Sequence, residues 1–75
     1  MDVTETLYVT NRDEWRDWLK KHCKSASDIW LVSYLKITGK PSVPYNDAVE
    51  EALCFGWIDS IVKKLDQDRY AQRYT

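Results

Sequence analysis

Asp59, in the stretch Trp57-Ile58-Asp59, is the first place in this chain where chemistry could reside. A carboxylate set among large apolar side chains is costly unless something binds it. Strict alternation along an extended segment puts Trp57, Asp59 and Ile61 on one face, and Ile58, Ser60 and Val62 on the other. Asp59 would then accept hydrogen bonds from a ligand while the Trp57 ring supplies a flat wall, a pairing used in pockets and interface anchors. The plain alternative pairs Asp59 with an internal Arg or Lys, or has it cap backbone N–H groups, and leaves Trp57 in the core.

A second constellation closes the sequence. Lys63, Lys64, Arg69 and Arg73 bring positive charge to a hairpin in which Tyr70 and Tyr74 interleave. Cations alternating with stackable rings are the recipe for holding single-stranded nucleic acid. The same residues also suit a solvated edge hairpin, whose charges keep sheets from associating. Other groups carry less. Gly39-Lys40-Pro41-Ser42 lacks the spacing of a phosphate-binding loop and reads as a turn. Glu50 and Glu51 diverge around a helix axis and read as a solvated face. Ser60 has no histidine partner, because the single histidine, His22, belongs to the first helix. One His and two scattered cysteines, Cys23 and Cys54, do not make a zinc site, and Cys54 reads as a small core residue. No cofactor motif and no catalytic constellation emerges, so the expectation is a binding protein and not an enzyme.

These residues need elements to position them. Leu7-Tyr8-Val9 reads as an opening strand, preceded by a flexible tail over residues 1–6. Thr10 is a candidate N-cap with Asp13 in the capping-box position. The first helix would run from about Asn11 to His22, burying Trp15, Trp18, Leu19 and His22 and turning Arg12, Asp17, Lys20 and Lys21 to water. Ile29 to Lys36, apolar on both alternating faces, predicts a central strand. Tyr45, Ala48, Val49, Ala52 and Leu53 then recur at helical spacing, and Gly56 ends that helix in a left-handed conformation. Trp57 to Leu65 and Arg69 to Tyr74 read as strands joined by a turn at Asp66-Gln67-Asp68. The order β-α-β-α-β-β predicts one α+β domain over residues 1–75, with two helices packed on a small, mostly antiparallel sheet.

Composition narrows the function classes. A 75-residue domain is near the lower size limit for a core, and four Trp, five Tyr and one Phe supply the buried area. A net charge of −1 offers no global attraction to nucleic acid or anionic lipid. No apolar run is long enough to span a membrane, and the acidic N-terminus is unlike a signal peptide, so a cytoplasmic location is expected. The partner expected is a protein or small-molecule ligand of unknown identity, and the apolar Ile29–Lys36 strand with an open sheet edge admits a homo-oligomer.

The segment Ala48-Val49-Glu50-Glu51-Ala52-Leu53-Cys54-Phe55-Gly56-Trp57-Ile58-Asp59 resembles the signature of the YdeI/OmpD-associated protein family. The resemblance continues through Asp68-Arg69-Tyr70-Ala71-Gln72-Arg73-Tyr74-Thr75, and upstream through Trp15-Arg16-Asp17-Trp18-Leu19 and Ile29-Trp30-Leu31. It implies a bacterial protein corresponding to the N-terminal portion of that family. It further implies a setting of bacteriocin or antimicrobial-peptide resistance, and a site that a downstream segment would complete.

Overall fold

Backbone pairing in a computed structural model, which describes residues 3–75, follows the expected order. The elements are β1 (Thr6–Leu7), α1 (Arg12–His22), β2 (Ile29–Tyr34), a 3-10 turn (Lys36–Thr38), α2 (Tyr45–Cys54), β3 (Asp59–Lys64) and β4 (Arg69–Tyr74). Four strands form one sheet in the spatial order β1-β2-β4-β3. β1 runs parallel to β2, whereas β4 is antiparallel to both of its neighbours. The chain is thus an α+β domain with a mostly antiparallel sheet, as its periodicities predict. Of the tail expected over residues 1–6, residues 1 and 2 lie outside the described residues. Thr6 already belongs to the sheet, opposite Trp30, and the Trp30 N–H donates to the Glu5 carbonyl just before it (3.0 Å).

Paired residues share a sheet face. Ile29, Leu31 and Ser33 of β2 lie opposite Tyr74, Gln72 and Tyr70 of β4. The helices cover this face: Trp15 and Leu19 of α1 and Ala48 and Ala52 of α2 join Ile29, Leu31, Val43, Trp57 and Tyr74 in one core cluster. Trp15 ties the layers together, its indole Nε1 donating to the Ala48 carbonyl at 3.0 Å and its ring lying 5.2 Å from that of Tyr74. An indole N–H buried in this way needs such a partner. Trp18 is half-buried and His22 exposed, so the buried stripe of α1 is narrower than its spacing suggests.

Several expectations are corrected by the packing. The N-cap of α1 is Asn11, not Thr10: its side chain accepts from the Glu14 N–H (3.0 Å), and Glu14 in turn accepts from the Thr10 N–H and hydroxyl. Glu14, not Asp13, therefore closes the capping box. Cys54 is exposed rather than in the core, because α2 buries Ala48, Glu51 and Ala52. Glu51 is only 4% exposed, and Arg12, expected to face water, is one of two guanidinium groups that hold it. A lone helix pattern cannot show this, because the cations come from another helix.

β3 departs most from simple alternation. Asp59 pairs with Tyr74 and Val62 with Gln72, so three residues of β3 span two of β4. The extra residue is a bulge. It puts Asp59 and Val62 on the same, helix-covered side, where strict alternation had placed them on opposite faces. β3 is an edge strand, and Ile61 and Val62 remain substantially exposed on it.

Candidate functional site

The two residues singled out first, Trp57 and Asp59, engage different partners. Trp57 is buried, its Nε1 donating to the Cys23 carbonyl (3.3 Å) and its ring meeting Trp18 edge-on at 6.0 Å. It closes the core at the end of α1. Asp59 is half-buried and turns toward the start of α2, where the Tyr45 hydroxyl donates to its carboxylate at 2.7 Å. That hydrogen bond raises the Tyr45 phenol above its ordinary value, with burial and the carboxylate's charge adding in the same direction.

The C-terminal hairpin is divided between the two sheet faces. Tyr70 and Tyr74 lie on the helix-covered side, and Arg69 and Arg73 on the other. Arg73 is held by Asp28 at 2.9 Å and Arg69 by Asp66 at 2.8 Å, so both guanidinium groups are ion-paired. Lys63 lies opposite Ala71, on the face away from Tyr70. Lys64 alone lies opposite Tyr70 and shares its face, so only one of the four cations joins the rings' side of the sheet.

What does converge is a cleft at the end of the sheet, between β2 and β4 and the segment leading into α2. It has a volume of about 480 Å³. Its walls carry the phenol rings of Tyr34, Tyr45 and Tyr70, the hydroxyl groups of Ser33 and Ser42, and the ammonium groups of Lys36 and Lys40. No acidic residue lines it among the described residues. A smaller recess of about 30 Å³ shares Ser33, Val43, Tyr45 and Tyr70 with the cleft and continues inward to Leu31, Gln72 and Tyr74. That space suffices for roughly one water or one small polar group.

Local chemistry fixes the cleft wall. Gly39 adopts φ 73°, the left-handed conformation that turns the chain after the 3-10 turn. The segment that follows is fastened at three points. The Tyr8 hydroxyl donates to the Pro41 carbonyl, the Tyr34 N–H donates to Ser42 Oγ (2.8 Å), and Lys40 Nζ sits 4.6 Å from the centre of the Tyr34 ring. Tyr8 and Tyr34 also meet edge-on at 5.0 Å. A wall held in this way is preformed, which lowers the ordering cost of binding.

Both donors and acceptors are present at the inner end. Gln72 is 8% exposed, and its Nε2 donates one of its two hydrogens to the Ser60 carbonyl (3.1 Å). The Tyr45 proton is committed to Asp59, which leaves its oxygen able to accept. Burial pushes the Tyr74 phenol up, so it stays neutral. At the outer end Ser42 Oγ accepts from the backbone, and its own proton remains available. Sequence reasoning treated Lys40 and Ser42 as part of a plain turn and did not single out Lys36, Tyr34 or Tyr45 as ligand contacts. The one local signal that could have drawn attention was the density of hydroxyl and ammonium groups between Ser33 and Tyr45.

The other polar cluster is structural. Glu51 accepts from Arg16 Nε (2.8 Å) and Nη2 (2.9 Å) and from Arg12 Nε (2.8 Å), while Arg12 also reaches Asp47 at 3.0 Å. The hydrogen bond from Arg16 and then that from Arg12 bring the Glu51 carboxyl down to about 2 against the opposing effect of burial. This clasp fastens α1 to α2. Among the described residues no group of three or more His, Cys, Asp and Glu could hold a metal ion. No helix among them is long and apolar enough to cross a membrane.

Comparison with known families corrects the resemblance drawn from the sequence. A family model described as a domain of unknown function (DUF8412) matches residues 7–75, and this finding overturns the assignment to the YdeI/OmpD-associated proteins. The shared-looking segment is an amphipathic helix, a helix-ending glycine and an aromatic-rich strand, a pattern that folding alone can demand. Neither a curated protein nor a solved structure matches the chain.

Proposed function

The chain belongs to the DUF8412 family, and from that premise we propose that it is a small-ligand-binding module whose site is the cleft between Tyr34, Tyr45 and Tyr70. One observation carries this reading: a chain with 12 acidic and 11 basic residues lines its cleft with two lysines, three phenols and no carboxylate. Its volume falls within the range of roughly 300–1,000 Å³ typical of ligand sites. Its contents favour a flat anion, with cations to neutralise charge and rings to cover an apolar face. Asp59 serves the site indirectly, by orienting the Tyr45 hydroxyl. Trp57 is core. The reading also assigns the chain to the cytoplasm, supported by two cysteines, Cys23 and Cys54, that are both free.

The test is a backbone-amide NMR titration with a panel of small anions: inorganic phosphate, aromatic carboxylates and phosphorylated ring compounds. Saturable shifts confined to residues 33–45 and 70–74 are the expected result. A panel that moves no amide in those segments, or moves only the hairpin turn at residues 65–68, would sink the reading.

A further inference from the structure

Charge is shared unevenly along this chain. Residues 33–40 and 63–70 meet at one end of the sheet, where Tyr34 lies opposite Arg69 and Lys64 opposite Tyr70. They hold five of the 11 basic residues, Lys36, Lys40, Lys63, Lys64 and Arg69, and two of the 12 acidic ones, Asp66 and Asp68. That end therefore carries a formal net charge of +3, and in a chain of net charge −1 the remainder carries −4. Asp66 is already engaged, since its carboxylate accepts from the Asp68 and Arg69 N–H groups and from Arg69 Nε. Such a charge distribution turns this end toward any anionic surface during approach.

An apolar side chain projects from the same end. Ile37 is 90% exposed, more than any other large apolar side chain among the described residues, and it stands between Lys36 and Lys40 in the chain. The 3-10 turn that carries it is closed. The Thr38 and Gly39 N–H groups donate to the Leu35 and Lys36 carbonyls, and Thr38 Oγ1 accepts from the Lys40 N–H at 3.2 Å. Ile37 is thus displayed by an ordered turn, with Leu35 next to that turn also exposed.

We infer that this end of the molecule docks peripherally on an anionic lipid bilayer, with Ile37 entering the acyl boundary and the lysines around it resting at the phosphates. The charge balance supplies the attraction and the aliphatic tip supplies the anchor. Lysine stems reach along apolar surface while keeping their ammonium groups at the polar layer, so Lys36 and Lys40 need not be desolvated. A protein partner would have to offer a pocket shaped to a protruding Ile37, whereas a fluid bilayer needs none. The docking does not depend on the cleft taking a small ligand.

Cosedimentation of the intact chain with two kinds of vesicle tests this, one of phosphatidylcholine alone and one of phosphatidylcholine and phosphatidylglycerol in equal parts. The mixed vesicles should bind the chain and the neutral ones should not, and added salt should weaken the binding. Ile37→Ser should weaken it about tenfold or more, the loss expected for one buried aliphatic side chain. Lys36→Glu with Lys64→Glu should also weaken it about tenfold or more. All three side chains are exposed, and an amide spectrum unchanged outside their neighbourhood confirms that each variant is folded. Mixed vesicles that bind no better than neutral ones overturn the inference, as does binding that survives either variant undiminished. A single-stranded oligonucleotide held more tightly than the mixed vesicles, and indifferent to Ile37→Ser, makes nucleic acid the partner and also overturns it. Failure of the vesicles to bind while small anions still shift residues 33–45 leaves the cleft reading standing.

Discussion

Replacing Glu51 by Gln removes the negative charge that α1 and α2 share while keeping the shape of the side chain. Both oxygens of Glu51 are engaged, by Arg16 at 2.8 and 2.9 Å and by Arg12 at 2.8 Å, and the residue is 4% exposed. A carboxyl lowered from its ordinary 4.5 to about 2 sets a ceiling of about 3 kcal/mol on its contribution. Both guanidinium groups are more than a third exposed, so solvent screening reduces the expected loss to about 2 kcal/mol. The sign follows from the lowered value. The contribution is fully present above about pH 4.5 and disappears as pH falls through about 2. Urea denaturation of both proteins at a series of pH values between 7 and 2.5 measures it. The parent should be the more stable at pH 7, and the gap between the two should shrink as the pH falls below about 4.5. A gap that stays constant down to pH 2.5, or a variant as stable as the parent at pH 7, would refute the assignment of the clasp as a charge-dependent fastening.

Two further substitutions probe the backbone and the edge of the site. Gly56→Ala meets no atom within 4 Å of the added Cβ, so its whole cost is the left-handed backbone at φ 77°. That cost is about 1–2 kcal/mol, a fall of at least about 4 °C in the thermal midpoint of a domain this size, and an unchanged midpoint would contradict it. Asp59→Asn should bring the Tyr45 phenol back toward its ordinary value, because the hydrogen bond to Asp59 is the largest cause of its rise. Ultraviolet titration of the phenolate, with Tyr45→Phe as the reference, reads this directly. No change between parent and variant would mean that the contact is not made in solution.

The layered architecture was legible from periodicity because its causes are local. β4 was placed at Arg69–Tyr74 by alternation, and β2 was read as central because both of its faces are apolar. Features that depend on distant partners were not legible. Glu51 is buried because Arg12 and Arg16, 39 and 35 residues away, turn toward it. Asp59 shares a face with Val62 because of a bulge that composition does not announce. The cleft joins residues 33–45 to Tyr70, and no single window of sequence contains both. The family resemblance erred for a related reason, since a helix, a glycine stop and an aromatic strand satisfy folding rules that many unrelated chains obey.

The strand order has a consequence for how the molecule assembles during synthesis. β4 is the last element of the described chain, yet it occupies an interior position and supplies the hydrogen-bonding partners of both β2 and β3. A nascent chain halted before Arg69 can wind its two helices and lay the short β1 beside β2, but it has no neighbour for β3 and none for the other edge of β2. Closure of the sheet, and with it the gathering of Tyr70 to the residues around Ser33, therefore waits for Arg69–Tyr74 to leave the ribosome. Until then the apolar face of Ile29 and Leu31 stands partly open, the interval in which a chaperone would find its grip.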